Sequence, residues 1–64
     1  MQSARLDYWY IRHQQLHGIV YGHPVLEDGI EIATSFIITV NFECKTVATA
    51  NTIYSLGTVH SRYY

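Results

Sequence analysis

The sequence has little of what usually stabilises a protein this small. Its 64 residues contain one cysteine, Cys44, so an intrachain disulfide is impossible and a disulfide-braced secreted domain is excluded. A lone thiol indicates a reducing compartment, and we expect the cytoplasm. A chain of this length makes one domain at most, and its small size is not compensated by covalent cross-links.

Charged residues are also few and nearly balanced. Four Lys or Arg residues against five Asp or Glu residues give a net charge of −1. A nucleic-acid-binding surface normally needs a basic stripe that neutralises phosphates, and the basic residues here are spread along the chain. A monomer is therefore not expected to bind nucleic acid, although a homo-oligomer could gather the basic residues. The carboxylates are too few for an acidic mimic of DNA.

Long apolar runs are absent as well. The longest, residues 8–11, is far too short for a membrane-spanning helix. The first residues show no basic segment followed by an apolar one. We therefore expect neither a signal peptide nor a membrane partner.

What the sequence has in excess is apolar surface. Apolar residues make up 48% of the chain, including one Trp, six Tyr and two Phe. A domain of this size buries only about 60% of the surface that its unfolded chain exposes. Some large side chains must therefore lie outside, where contiguous apolar patches usually mark a partner site. We expect a protein partner and a homo-oligomer; scattered surface aromatics without a function are the alternative.

Alternation of side chains predicts the clearest strand, residues 30–42. Every second residue from Ile30 to Phe42 is apolar or Thr and falls on one side of an extended chain. Fully extended, this run would span about 43 Å, whereas a chain of this length folds to a diameter of roughly 28 Å. We therefore predict a bend or bulge at Ala33-Thr34-Ser35, where the side chains are small.

Shorter strands and turns account for most of the remaining chain. The other predicted strands are residues 16–21, 46–49 and 52–56. Gly18 inside a strand suggests that another backbone approaches closely. Gly29 suits the left-handed conformation of a three-residue hairpin loop, and Pro24 interrupts the chain before it. We place a single domain at residues 1–57 and a flexible tail at residues 58–64.

The N-terminal segment allows two interpretations. As a helix, it would begin near Ser3, end at Gly18 and carry its apolar side chains on one face. As strands, it has poor helix formers and good strand formers at residues 8–11, followed by a turn at residues 13–15. We favour strands. The predicted fold class is all-β, a small antiparallel barrel or strongly bent sheet of about five strands, with an N-terminal helix as the alternative.

Residues 9–37, WYIRHQQLHGIVYGHPVLEDGIEIATSFI, resemble a loose group of small phage and prophage proteins. In that group a strand enters Gly-His-Pro, an Asp-Gly turn follows, and Thr-Ser precedes Ile or Val. Residues 51–57, NTIYSLG, are similar to a Tyr-x-Leu-Gly strand end of the same group. The resemblance implies a phage or mobile-element origin and a bacterial host. Val25 and Ile30 replace a basic residue and a Thr common in the pattern, which argues against an anion-binding role.

Residues able to carry metal or catalytic chemistry form no specific pattern. The possible metal ligands are His13, His17, His23, His60 and Cys44. They include no cysteine pair, and Gln14 stands where a His-Glu-x-x-His motif needs Glu. Ser35, His23 and Asp28 could meet as a nucleophilic trio. A turn-capping Asp28, a bend at Ser35 and a His23 packed on an aromatic such as Tyr21 explain the same residues without catalysis. We expect no metal, no cofactor and no enzymatic activity.

The function hypothesis is a non-enzymatic interaction module that binds and inhibits a host protein. The candidate binding residues are Trp9, Tyr21, His23, Asp28, Thr34 and Ser35. They combine the 22–35 loop with nearby aromatic rings, which dominate many protein interfaces. One alternative is a dimeric nucleic-acid-binding barrel whose aromatic rings stack on bases. Another is a small-ligand binder that uses His23, Asp28 and Thr34.

Overall fold

A computed structural model of the chain describes residues 2–60 and is all-β, with no helix among these residues. The strands are β1 Gln2–Arg12, β2 Gln15–Tyr21, β3 Ile30–Asn41, β4 Thr46–Thr49 and β5 Thr52–Leu56. The predicted all-β class and the number of strands are confirmed. The helical alternative for the N-terminal segment is wrong, because the aromatic and β-branched residues at 8–11 continue one long strand.

The five strands close into one ring-shaped sheet in the order β1-β2-β3-β4-β5. Strands that follow one another in sequence pair antiparallel, and β5 returns to β1 to close the ring as a parallel pair. The predicted small antiparallel barrel is confirmed, and the β1–β5 seam is its parallel pair. The ring measures 30 × 23 × 22 Å, close to the size expected for the chain length.

β3 bends because it carries two bulges. Opposite β2 the pairing moves from His17↔Ala33 to Gln15↔Phe36, so Thr34 and Ser35 face one residue of β2. This confirms the bend predicted at residues 33–35. Opposite β4 it moves from Ile37↔Thr49 to Thr39↔Ala48, which makes residue 38 a second extra residue.

The first bulge is held by side chains that replace the missing backbone partners. The Leu16 amide donates a 3.1 Å hydrogen bond to Thr34 Oγ1, and the Gln15 side-chain amide donates a 2.8 Å bond to the Thr34 carbonyl. The Thr34 hydroxyl in turn donates to the Ser35 carbonyl. The bulge thus leaves these buried polar groups paired, as a stable interior requires.

The interior of the ring is small and tightly filled. Its fully buried large side chains are Leu6, Leu16, Val20 and Val47, and Ala4, Tyr54 and Leu56 complete the buried cluster. A Cβ on Gly18 would lie 2.8 Å from the Asp7 carbonyl oxygen and 2.9 Å from Leu6 Cγ. The close approach predicted at Gly18 is therefore confirmed, and the backbone of β1 is what approaches it.

Trp9 ties the end of the described chain to β1. Its indole Nε1–H donates to the Gly57 carbonyl at 3.1 Å. Its backbone amide donates to the Thr58 carbonyl at 3.3 Å, and its own carbonyl accepts a 2.9 Å bond from the His60 amide. The part of the predicted tail at residues 58–60 is therefore paired with β1, whereas residues 61–64 lie outside the described residues.

The β1–β2 hairpin carries local backbone strain that substitution should relieve. Its two loop residues, His13 and Gln14, have φ of 52° and 63°, the left-handed conformation that Asn-Gly adopts at low cost. We expect His13→Asn/Gln14→Gly to stabilise the fold by about 1 kcal/mol, because left-handed non-glycine residues each cost roughly 1–2 kcal/mol. Thermal unfolding should show a Tm higher by about 4–8 °C. An unchanged or lower Tm would contradict this assignment of strain.

Candidate functional site

The loop between β2 and β3, residues 22–29, is held in one conformation by its own polar groups. The Gly22 amide donates a 2.7 Å hydrogen bond to Asp28 Oδ1, and the Gly29 amide donates a 2.8 Å bond to the Val20 carbonyl. Gly22 and Gly29 have φ of 72° and 86°, which confirms the left-handed conformation predicted for Gly29. The loop is longer than the predicted three-residue turn.

His23 organises the middle of this loop. Its Nδ1 accepts hydrogen bonds from the amides of Val25 at 3.0 Å and Leu26 at 3.2 Å. Nδ1 must therefore carry a lone pair, and any proton on the neutral ring is on Nε2. The ring lies 6.4 Å from the ring of Tyr54 at an interplanar angle of 28°. The prediction that His23 packs on an aromatic such as Tyr21 is thus corrected to Tyr54, which comes from β5.

A cleft of about 550 Å³ opens beside this loop. It lies along the first half of β3, which pairs with β2 and not with β4. Predicted binding residues His23, Thr34 and Ser35 all line it. Thr34 is buried and holds the bulge, whereas Ser35 is exposed. Val25 and Leu26 add apolar surface from the loop, and Leu26 also packs on the core.

The other three predicted binding residues do not line the cleft. Trp9 is half-buried, and its indole nitrogen is engaged by Gly57. Tyr21 is exposed at the end of β2, opposite Arg5 of β1. Asp28 is exposed and caps the loop through Gly22, as the turn-capping interpretation predicted.

Two of the three groups considered for catalysis, Asp28 and His23, accept hydrogen bonds from backbone amides. Asp28 accepts from Gly22, and His23 Nδ1 accepts from two loop amides, so neither is hydrogen-bonded to Ser35 or to the other. A nucleophile needs a base and a group that orients the base. Of the described residues, no three His, Cys, Asp or Glu side chains form a group that could hold a metal ion.

Sequence reasoning did not identify which large hydrophobic residues are most exposed. Val25 is 76% exposed, and Ile38, Phe42 and Phe36 are 69%, 67% and 65% exposed. The alternation from residue 30 to 42 wrongly placed Phe36 and Ile38 on the same face as Thr34. The two bulges each shift the register, so Ile37 packs against the core while Phe36 and Ile38 face outward. The length of the run already indicated that the alternation could not continue unbroken, because a straight strand of that length would not fit the domain.

A second groove, of about 430 Å³, lies beside a distortion in β1. Tyr8 has φ of 53° where the β1–β2 register shifts, and its exposed side chain borders the groove. Glu31 and His60 contribute from β3 and the C-terminal segment. A left-handed tyrosine costs free energy that a glycine would avoid, which makes Tyr8 a further residue of interest.

Comparison of the chain with protein-family models, with curated proteins and with solved structures found no match. Among residues 2–60 there is no helix of the length and apolar character that crossing a membrane demands.

Proposed function

We propose that this chain is a non-enzymatic interaction module of phage or prophage origin that binds a protein of its bacterial host and inhibits it. Its contact surface is the 22–29 loop and the adjoining cleft, with Val25 at the centre. The observation that carries the proposal is a 76% exposed Val25 in a loop whose backbone amides are hydrogen-bonded by Asp28 and His23.

Rigidity of the loop supports a binding role. An apolar side chain on a mobile loop loses conformational entropy when it docks, and a pre-formed loop avoids much of that cost. Hydrogen bonds to His23 Nδ1 and Asp28 Oδ1 fix the backbone on both sides of Val25. Loops on rigid scaffolds commonly carry function.

The small interior supports the same proposal. Among residues 2–60, four large side chains are fully buried, whereas eight large hydrophobic residues are exposed. Burying a large apolar side chain contributes roughly 1.5–3 kcal/mol. The exposed residues contribute nothing of this kind to folding, so a partner that buries them gains that free energy on binding. Engagement of His23 and Asp28 by backbone amides leaves Ser35 without an activated partner, which favours binding over catalysis.

Site-specific photo-crosslinking tests this proposal. A photoreactive phenylalanine analogue at residue 25 should capture one specific protein from bacterial lysate, because residue 25 is central to the contact. The same analogue at Lys45, exposed in the β3–β4 turn, is the matched control and should not capture it. The captured protein is then purified, and its affinity for the wild-type chain and its activity with and without the chain are measured.

We expect Val25→Lys to weaken that affinity at least about ten-fold, since loss of a central apolar anchor typically costs more than about 1 kcal/mol. The pair His23→Ala/Asp28→Ala should weaken it as well, because the loop loses its acceptors. Equal capture from residues 25 and 45, or an affinity that Val25→Lys leaves unchanged, would refute the proposed surface. A captured protein that binds but stays fully active would refute inhibition.

A further inference from the structure

β3 has a free edge along its second half. Residues 37–41 pair with β4 on one side, and on the other side the Ile37 amide donates a backbone hydrogen bond to the Gln14 carbonyl of the β1–β2 hairpin. Within the described part of the chain, no strand pairs with residues 38–41 on that side. Unpaired amide and carbonyl groups on a strand edge are a template for a further strand.

The residues on this edge lack charge and proline, two features that normally prevent strand pairing, and the edge carries one β-bulge, at residue 38. Residues 36–42, FIITVNF, contain no charged residue and no proline. Phe36, Ile38 and Phe42 are each about two-thirds exposed. Proteins usually protect an exposed edge with residues such as lysine or proline, and residues 36–42 contain neither.

We propose that a second copy of this chain pairs with the β3 edge in an antiparallel, two-fold arrangement, which continues the sheet from one barrel into the next. A two-fold axis brings the same segment of both copies together, so a charged segment would repel itself. This segment carries no charge, so two copies of it can pair without repulsion. Residues 36–42 include neither Val25 nor the 22–29 loop, so the dimer does not rest on the proposed function.

The available area predicts a weak dimer. A fully buried aromatic side chain covers roughly 150–250 Å², so each two-thirds exposed Phe contributes on the order of 100 Å². With Ile38 and the backbone edge, the total for both copies is about 800 Å², below the roughly 1,200–2,000 Å² of stable interfaces. We therefore expect dissociation constants on the order of 10–100 µM, so the dimer forms at high local concentration.

Analytical ultracentrifugation over a concentration series tests the dimer. The wild-type mass should rise from that of one chain towards twice that value between roughly 1 µM and 1 mM, the range that spans the expected dissociation constant. Ile38→Lys should raise the dissociation constant at least about ten-fold, because it puts a charge on the edge. Val25→Lys, the same change at an equally exposed site, should leave it unchanged.

Hydrogen exchange tests the dimer on the wild-type chain, so the result does not depend on whether a variant folds. Amides of residues 38–42 that point away from β4 should exchange more slowly at high than at low concentration, whereas the amides of residues 25 and 26 should not change. A constant monomer mass up to 1 mM, a dimer that Ile38→Lys leaves intact, or no concentration effect at residues 38–42 would each overturn the proposal. If Val25→Lys abolishes host-protein binding while the dimer persists, the two proposals are separated.

Discussion

Replacing Gly18 with alanine is expected to destabilise the fold by about 3 kcal/mol, at the upper end for overpacking a filled interior. The added methyl group would meet the Asp7 carbonyl oxygen at 2.8 Å and Leu6 Cγ at 2.9 Å. Because the first of these atoms is backbone, relief requires β1 to move away from β2. A protein of this size has a total stability of roughly 3–10 kcal/mol, so the substitution should remove about a third or more of it.

Urea unfolding of the Gly18→Ala variant measures this effect, and Gly29→Ala is the matched control. Gly29 has φ of 86° and open space where its Cβ would be, so its replacement should cost only the left-handed conformation, about 1–2 kcal/mol. The prediction requires Gly18→Ala to lose clearly more stability than Gly29→Ala. Equal losses would show that crowding between β1 and β2 is not what makes Gly18 necessary.

Replacing Thr34 with valine is expected to cost about 2–3 kcal/mol, although the two side chains have nearly the same shape. The valine has no oxygen to accept the hydrogen bond from the buried Leu16 amide, and the Ser35 carbonyl loses its donor. An unpaired buried amide costs roughly 1–3 kcal/mol. The wall of the cleft beside the 22–29 loop should loosen as a consequence, since Thr34 and Ser35 form part of it.

The Thr34→Ser variant distinguishes the contribution of the Thr34 hydroxyl to stability from that of its methyl group. Serine keeps the acceptor for Leu16 and loses only a methyl group, worth about 0.8 kcal/mol. Denaturant unfolding should therefore rank the wild type above Thr34→Ser and both above Thr34→Val. The exchange rate of the Leu16 amide should increase most in Thr34→Val. If valine were as stable as threonine, the bulge would not depend on its side-chain hydrogen bond.

Several features of the fold were predictable because they have local physical causes. The strands at residues 46–49 and 52–56 follow from β-branched side chains on either side of a short polar turn. The break at Thr34-Ser35 follows from a strand too long for the domain. The left-handed conformation of Gly29 was predictable because a tight loop after Asp28 needs a residue that adopts it easily. The group formed by His23, Thr34 and Ser35 was predicted in part, because all three lie near the same loop in sequence.

Other features depended on pairings between distant parts of the chain. The partner of the His23 ring is Tyr54 on β5, which no local pattern relates to the loop. Trp9 seemed available for binding, but its indole nitrogen is engaged by the Gly57 carbonyl, across almost the whole sequence. The parallel β1–β5 pair that closes the ring joins two strands that are far apart in sequence, so no local pattern predicts it.

The sequence by itself determined that the chain is all-β, where its strands and turns lie, and that it has more apolar side chains than its interior holds. Only the tertiary structure decided which of those side chains lie outside. Side chains alternate along a strand, but each bulge adds one residue and changes the face of all that follow. The register of β3 against β2 and β4 sets the positions of both bulges, and thereby leaves Phe36 and Ile38 in solvent.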